Sequence, residues 1–314
     1  MRPATIPALT IAALLVAVVP AAAADAVPAK ILFSKVDGPA PLAARSIGFY
    51  SRGCVAGAKA LAVDGPEWQV MRLSRNRYWG MPELVAYIER LAKDTRALDG
   101  WPGLLVGDLG QPRGGPTPTG HTSHQTGLDV DIWFEPMPDR KLSPDEREKI
   151  GARSVLVPGT HVDLDMKKWP EGLDRVLKRA ASYEEVERIF VNPGVKKLLC
   201  DRAGDDRAWL KKIRPWYKHD DHFHVRLRCP PGLQGCRAQD AVPAGDGCGE
   251  NLAYWLGPEP WKPAPKPKKP PPPPKEILLA DLPAVCTEIL NAGSGVAATP
   301  DAPPLPPVRP ASAN

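Results

Sequence analysis

Beyond residue 24 no apolar run of this 314-residue chain approaches the roughly 20 residues that span a bilayer, so the mature chain is read without an integral membrane segment. No Cys-x2-Cys pair occurs among the six cysteines, which makes a cysteine-ligated zinc ribbon a poor account of them. Net charge is nearly absent outside one segment. The formal charge is +5 at pH 7, and Gly257–Lys275 alone sets five lysines against Glu259. That distribution leaves no basic face for nucleic acid. No internal repeat is apparent, and histidine occurs only six times.

What is present divides the chain. Met1-Arg2, the short apolar stretch Ala8 to Val19 between Pro7 and Pro20, and Ala21 to Ala24 have the order of a secretory signal peptide, with cleavage expected after Ala24. An even number of cysteines fits an oxidising compartment, where six allow fifteen pairings. Residues 257–275 form a proline- and lysine-rich spacer of extended polyproline character. Residues 291–314, rich in alanine and proline, read as a disordered tail.

The six histidines fall into three small sites: His121 with His124, His161 alone, and His219 with His222 and His224. In His222-Phe223-His224-Val225-Arg226-Leu227 the apolar residues alternate with the imidazoles, so a strand here turns both histidines to one face and its apolar residues to the core. Asp129 and Asp131 alternate in the same way with Leu128, Val130 and Ile132. Two such strands side by side bring His124, Asp131 and His224 together. Two neutral imidazoles and a carboxylate suit zinc and leave a fourth position for water, the arrangement of catalytic rather than structural sites. His222 and His219 then remain beside the ligands, His222 being the better placed as general base or oxyanion stabiliser. Asp129 reads as an acceptor that orients a ligand histidine, or as a plain strand carboxylate.

The wording Gly120-His121-Thr122-Ser123-His124-Gln125-Thr126-Gly127-Leu128-Asp129-Val130-Asp131-Ile132-Trp133, followed by Arg214-Pro215-Trp216-Tyr217-Lys218-His219 and His222-Phe223-His224-Val225-Arg226-Leu227-Arg228-Cys229-Pro230, resembles the penicillin-insensitive murein endopeptidases. These belong with the lysostaphin-type endopeptidases, D-alanyl-D-alanine carboxypeptidases and the hedgehog signalling domain in one metallopeptidase group, and the likeness runs from about Cys54 to Cys286. The resemblance implies zinc held by His124, Asp131 and His224, with His222 catalytic and His219 assisting. It implies disulfides Cys54–Cys286, Cys200–Cys248 and Cys229–Cys236. Family members also hold a second metal through a histidine matching His121 and an Asp-x-x-His pair. Here His161 supplies the histidine of that pair, but Pro158 stands where the aspartate belongs, leaving Asp163 or Asp165 as substitutes.

The implied substrate is peptidoglycan in the periplasm, cleaved at D-alanyl-meso-diaminopimelate cross-links. Insensitivity to β-lactams follows from the lack of a serine in a Ser-x-x-Lys setting. The rival functions are a D,D- or L,D-carboxypeptidase of the same group and a non-catalytic cell-wall binding protein.

The expected fold is α+β: an antiparallel sheet carrying the zinc site, flanking helices and three disulfides. Residues 25–256 form the peptidase domain, and 276–290 return to it through Cys286. Helices are expected over Pro82–Thr95, Pro144–Arg153, Ser182–Arg188 and part of Cys200–Lys212, with Trp209 and Leu210 inward. Leu104–Leu109 reads as a strand leading into a bending loop, Gly110 to Gly120, and Asn192-Pro193-Gly194 as a turn. Trp216 is assigned to the core and Tyr217 to the substrate cleft.

Overall fold

The computed structural model describes residues 27–263, 265, 267 and 274–293. The expected signal peptide, the middle of the proline-lysine spacer and the tail from residue 294 lie outside the described residues. A short helix α1 (Ala29–Phe33) precedes strands β1 (Arg45–Phe49), β2 (Arg52–Ala56), β3 (Lys59–Ala60), β4 (Trp68–Val70) and β5 (Trp79–Gly80). Helix α2 (Pro82–Asp99) leads to β6 (Leu104–Val106), and a long loop then reaches β7 (Asp129–Pro136). Helices α3 (Pro144–Lys149) and α4 (Leu173–Ser182), strand β8 (Val186–Val191), helix α5 (Pro193–Arg202), and strands β9 (Ile213–Pro215) and β10 (His222–Leu227) follow. The described chain ends with α6 (Glu250–Leu256) and α7 (Val285–Asn291).

The main sheet has the order β4-β6-β7-β10-β8-β9. Its central pairings, β6 with β7, β7 with β10 and β10 with β8, are antiparallel, whereas β4–β6 and β8–β9 at the two edges are parallel. The expected antiparallel sheet is therefore a mixed one. The α+β class stands, because the site-bearing centre is antiparallel and the crossovers through α2 and α5 add only edge strands in parallel.

The period-2 pattern does its expected work at the centre. Val130, Ile132 and Phe134 of β7 and Phe223, Val225 and Leu227 of β10 are buried in the main core with Leu84, Ile88 and Leu91 of α2 and Leu177 of α4. The opposite face of β7 carries Asp129, Asp131 and Trp133. Trp133 belongs to a separate apolar cluster with Met71, Leu105 and Leu142. Proline at the first turn and Gly100 at φ +69° bound α2, which runs four residues past the expected end.

Three local expectations are corrected. Ser182–Arg188 is not a helix: α4 ends at Ser182 and β8 begins at Val186, because the apolar spacing of Leu173, Val176, Leu177 and Ala180 lies earlier. Asn192-Pro193-Gly194 is not a free turn but the start of α5, with Pro193 at its first position and Asn192 accepting from the Gly194 amide at 2.8 Å. The strand expected over Leu104–Leu109 stops at Val106, and Gly107–Thr117 is a buried loop. Its backbone polar groups are answered by side chains: Gln111 donates to the carbonyls of Gly114 and Pro116, both at 3.0 Å.

All three disulfides implied by the resemblance are present: Cys54–Cys286, Cys200–Cys248 and Cys229–Cys236. Cys54–Cys286 sits in a second core formed by Phe33, Ile47, Leu282 and Ile289, so the returning segment packs against the first strands as well as being bonded to them. Arg113, from the loop ahead of the histidines, donates to the carbonyls of Ile289, Leu290 and Ala292 at 2.7–2.8 Å and closes the carboxy end of α7. No helix among the described residues is long and apolar enough to cross a membrane.

Candidate metal centre

Strands β7 and β10 lie side by side with His224 opposite Asp131 and Arg226 opposite Asp129. His124 comes from the loop, five residues before the strand begins. Its backbone is left-handed at φ +66°, a costly conformation for a residue with a Cβ, and its Nδ1–H donates to the Leu109 carbonyl at 2.6 Å. That bond leaves Nε2 directed elsewhere. Nε2 is buried with no hydrogen-bond partner and lies 3.5 Å from Asp131 Oδ1, which is also buried and unpartnered.

His224 Nδ1 lies 3.4 Å from the same Asp131 oxygen, and its Nε2–H donates to Asp129 Oδ1 at 2.6 Å. Arg226 Nε donates to that oxygen at 2.6 Å, and its guanidinium lies 3.7 Å above the Tyr50 ring. His124 Nε2 and His224 Nδ1 each stand at 3.4–3.5 Å from Asp131 Oδ1, the spacing of ligand atoms that share a cation, although the group whose ligand atoms all lie within 4.8 Å of one another takes His121 with His124 and Asp131 and leaves His224 out. Zinc bonds of 2.0–2.1 Å in a tetrahedron place neighbouring ligand atoms roughly 3.3–3.4 Å apart. A buried lone pair without a partner is otherwise a substantial cost.

His121 adds a third imidazole. Its Nε2 is 3.3 Å from Asp131 Oδ2 and 3.2 Å from Asp108 Oδ2, and ligand atoms of His121, His124 and Asp131 lie within 4.8 Å of one another. Asp108 was not foreseen. Arg75 and Arg77 donate to its Oδ2 at 3.0 and 2.9 Å. Burial raises its pKa, but the His121 hydrogen bond and the two guanidinium groups outweigh this and hold the carboxyl ionised well below the usual range.

His161 is elsewhere. Its ring stacks on Trp261 at 4.5 Å with planes 4° apart, and no group of metal-competent side chains among the described residues includes it. Asp163 accepts through its backbone from Val157 and Thr160, and Asp165 pairs with Lys168.

On the open side of the centre, His222 Nδ1–H donates to Asp221 at 2.5 Å and its Nε2 is 3.7 Å from Asp131 Oδ1. Burial opposes its charge, yet Asp131 and Asp221 outweigh it and hold its pKa up at about 9. His219 Nδ1–H donates to the Tyr217 carbonyl at 2.8 Å, and its ring is 4.9 Å from that of His222. Burial and the neighbouring His222 push its pKa down to about 4, so it is neutral with Nε2 as acceptor. Burial, with His124 beside it, pushes His224 down to about 3, the neutral state a ligand needs. Asp129 stays ionised despite complete burial because Arg226 and His224 face it.

The turn bearing His219 is held in strain. Lys218 and His219 are both left-handed, at φ +57° and +53°. The Asn192 amide N–H donates to the His219 carbonyl at 2.8 Å, and the Asn192 side chain reaches the Lys218 carbonyl at 3.3 Å. Strain fixed in this way is characteristic of positions that aim a functional side chain. Asp221 and Asn192 thus join Asp108 as contributors that the sequence pattern did not single out. Asp221 had a signal, being adjacent to His222, whereas Asp108 and Asn192 reach the site only through the fold.

The penicillin-insensitive murein endopeptidase family model matches residues 46–291. Among similar curated proteins, the penicillin-insensitive murein endopeptidase of Haemophilus influenzae is 42% identical over 249 residues, covering 79% of this chain and 83% of that protein. The protein of the same name from Klebsiella pneumoniae is 44% identical over 236 residues, 75% of this chain and 84% of its own length. One from Escherichia coli is 40% identical over 259 residues, 82% and 90% respectively.

Proposed function

This chain belongs to the penicillin-insensitive murein endopeptidase family and is a peptidoglycan endopeptidase, and we propose that it is a zinc enzyme cleaving the D-alanyl-meso-diaminopimelate amide of peptide cross-links. The observation that carries the metal reading is the pair of buried, unpartnered atoms His124 Nε2 and Asp131 Oδ1, with His224 Nδ1 at the same oxygen. We assign the cation to His124, Asp131 and His224. His121 is a weaker third ligand than His224, because its Nε2 already meets Asp108 and its side chain is partly exposed.

A zinc ion held there supplies an acidified water and positive charge beside the scissile carbonyl. The chain's own part is positional. His222 presents Nε2 next to the centre, with Nδ1 fixed by Asp221; a cation on Asp131 would offset the charge that holds this ring protonated and free Nε2 to move the proton between the attacking water and the leaving amine. His219, neutral and with its Nδ1–H locked on the Tyr217 carbonyl, presents Nε2 at the same opening as an acceptor and assists His222 in taking the proton. Asp129, neutralised by Arg226, keeps His224 in the tautomer whose Nδ1 is free. His121, bridging Asp108 and Asp131, is assigned to the same rim, and His161 is given no metal role.

Three disulfides fit an oxidising compartment. We place the protein in the periplasm, with residues 1–24 removed on export, 25–256 as the catalytic domain, 257–275 as spacer and 276–290 as the segment that closes it. Atomic absorption on the purified protein tests the metal assignment. One zinc per chain, lost in His124→Ala and retained in His222→Ala, is expected; a metal-free active enzyme contradicts it.

A further inference from the structure

Trp216, expected in the core, is 49% exposed, and Tyr217 and Tyr254 are 41% and 53% exposed. Among the described residues these are the exposed large aromatic side chains, and they share one surface. Trp216 and Tyr217 follow β9, while Tyr254 and the buried Trp255 come from α6. The Trp255 ring lies 5.6 Å from Trp216, 4.8 Å from Tyr217 and 5.9 Å from Tyr254. Trp261 closes one end, 5.4 Å from Tyr217 and stacked on His161. Packing did not require these rings outside: the main core is complete without them, and solvent-facing aromatic rings in a group mark a binding surface.

The surface is continuous with the candidate centre. The His222 ring is 4.9 Å from His219, His219 is 6.0 Å from Phe190, and Phe190 is 6.0 Å from Trp216. We infer that this aromatic ledge binds the amino-sugar strand to which the cleaved stem peptide is attached. The inference rests on the peptidoglycan endopeptidase reading above. Its scale is right: a stem of about four residues, extended, spans roughly 13–14 Å, so a stem running from the scissile amide beside His222 delivers its sugar to the ledge. Its chemistry is right as well. A pyranose ring offers a flat face of C–H groups to an aromatic face, while its hydroxyl and acetamido groups stay in water. The rings of the ledge are tilted to one another by 52–78°, which presents several faces to a strand rather than one slot to a single side chain.

The test separates the sugar from the peptide. The protein is pelleted with glycan strands stripped of all stem peptides, which carry no amide cross-link for it to cleave. Binding that falls at least ten-fold in Trp216→Ala/Tyr254→Ala and survives in Trp216→Phe/Tyr254→Phe supports the ledge; the phenylalanine pair also guards against a folding defect. Absence of binding by the parent, or equal binding by the alanine pair, overturns it. The peptidase reading is tested apart from this, by the wild type on cross-linked peptide dimers that carry no sugar. Failure there removes the assigned activity without touching the pelleting result.

Discussion

His224 donates its Nε2 hydrogen to Asp129 at 2.6 Å between adjacent strands, and this bond decides which nitrogen of His224 faces Asp131. Asp129→Asn therefore lowers zinc affinity about 10–100-fold, the usual cost of losing such a partner, while the fold persists. Competition with a chromophoric chelator measures it. Unchanged affinity contradicts His224 as a ligand.

His222 and His124 separate proton handling from metal retention. His222→Ala keeps the metal and loses about 10²–10⁴-fold in kcat, whereas His124→Ala loses the metal first. Metal content and turnover of the two purified variants check this. Metal loss in His222→Ala shows that ligand and base have been exchanged.

The first disulfide holds the returning segment. Cys54→Ser/Cys286→Ser destabilises by about 2–5 kcal/mol and loosens α7 together with the Arg113 contacts behind the histidine loop. Chemical denaturation of the oxidised proteins reads the loss. A midpoint equal to that of the wild type contradicts a closing role for residues 276–290.

Lys196 of α5 is fully buried and donates to the carbonyls of Leu210 and Asp246 at 2.8 and 2.7 Å. Burial, with Arg214 adding, pushes its pKa from 10.5 down to about 7. Above pH 7 the unfolded chain binds a proton that the folded chain has released, so this group's contribution to stability rises with pH up to its unfolded value. Below pH 7 both states hold the proton, and the penalty for burying the charge is complete. Wild type gains on Lys196→Met by up to about 1.4 kcal/mol per pH unit between pH 7 and 9. Denaturant midpoints at several pH values test it, and parallel curves contradict it.

The parts legible in the sequence were those governed by short periods. Alternation fixed the facing of Asp129, Asp131, His222 and His224, because a one-residue slip would have turned Val130 and Val225 out of the core. Helix α2 was legible from Pro82 and its apolar spacing. What escaped depended on partners that no short period marks: Asp108 matters through Arg75, Arg77 and His121, and the loop after Val106 is buried because Gln111 satisfies carbonyls within it and Arg113 ties it to carbonyls of the distant α7. Trp216 was misplaced because an isolated tryptophan before a strained turn carries no periodic mark of the side it faces.

Cross-linked muropeptide dimers digested with the mature protein, with and without a chelator, and followed by mass spectrometry test the central claim most directly. Conversion of dimers to monomers that stops on chelation and returns with zinc is the predicted result. Dimers left intact by the zinc-loaded protein, or a terminal amino acid released while the cross-link survives, would contradict it.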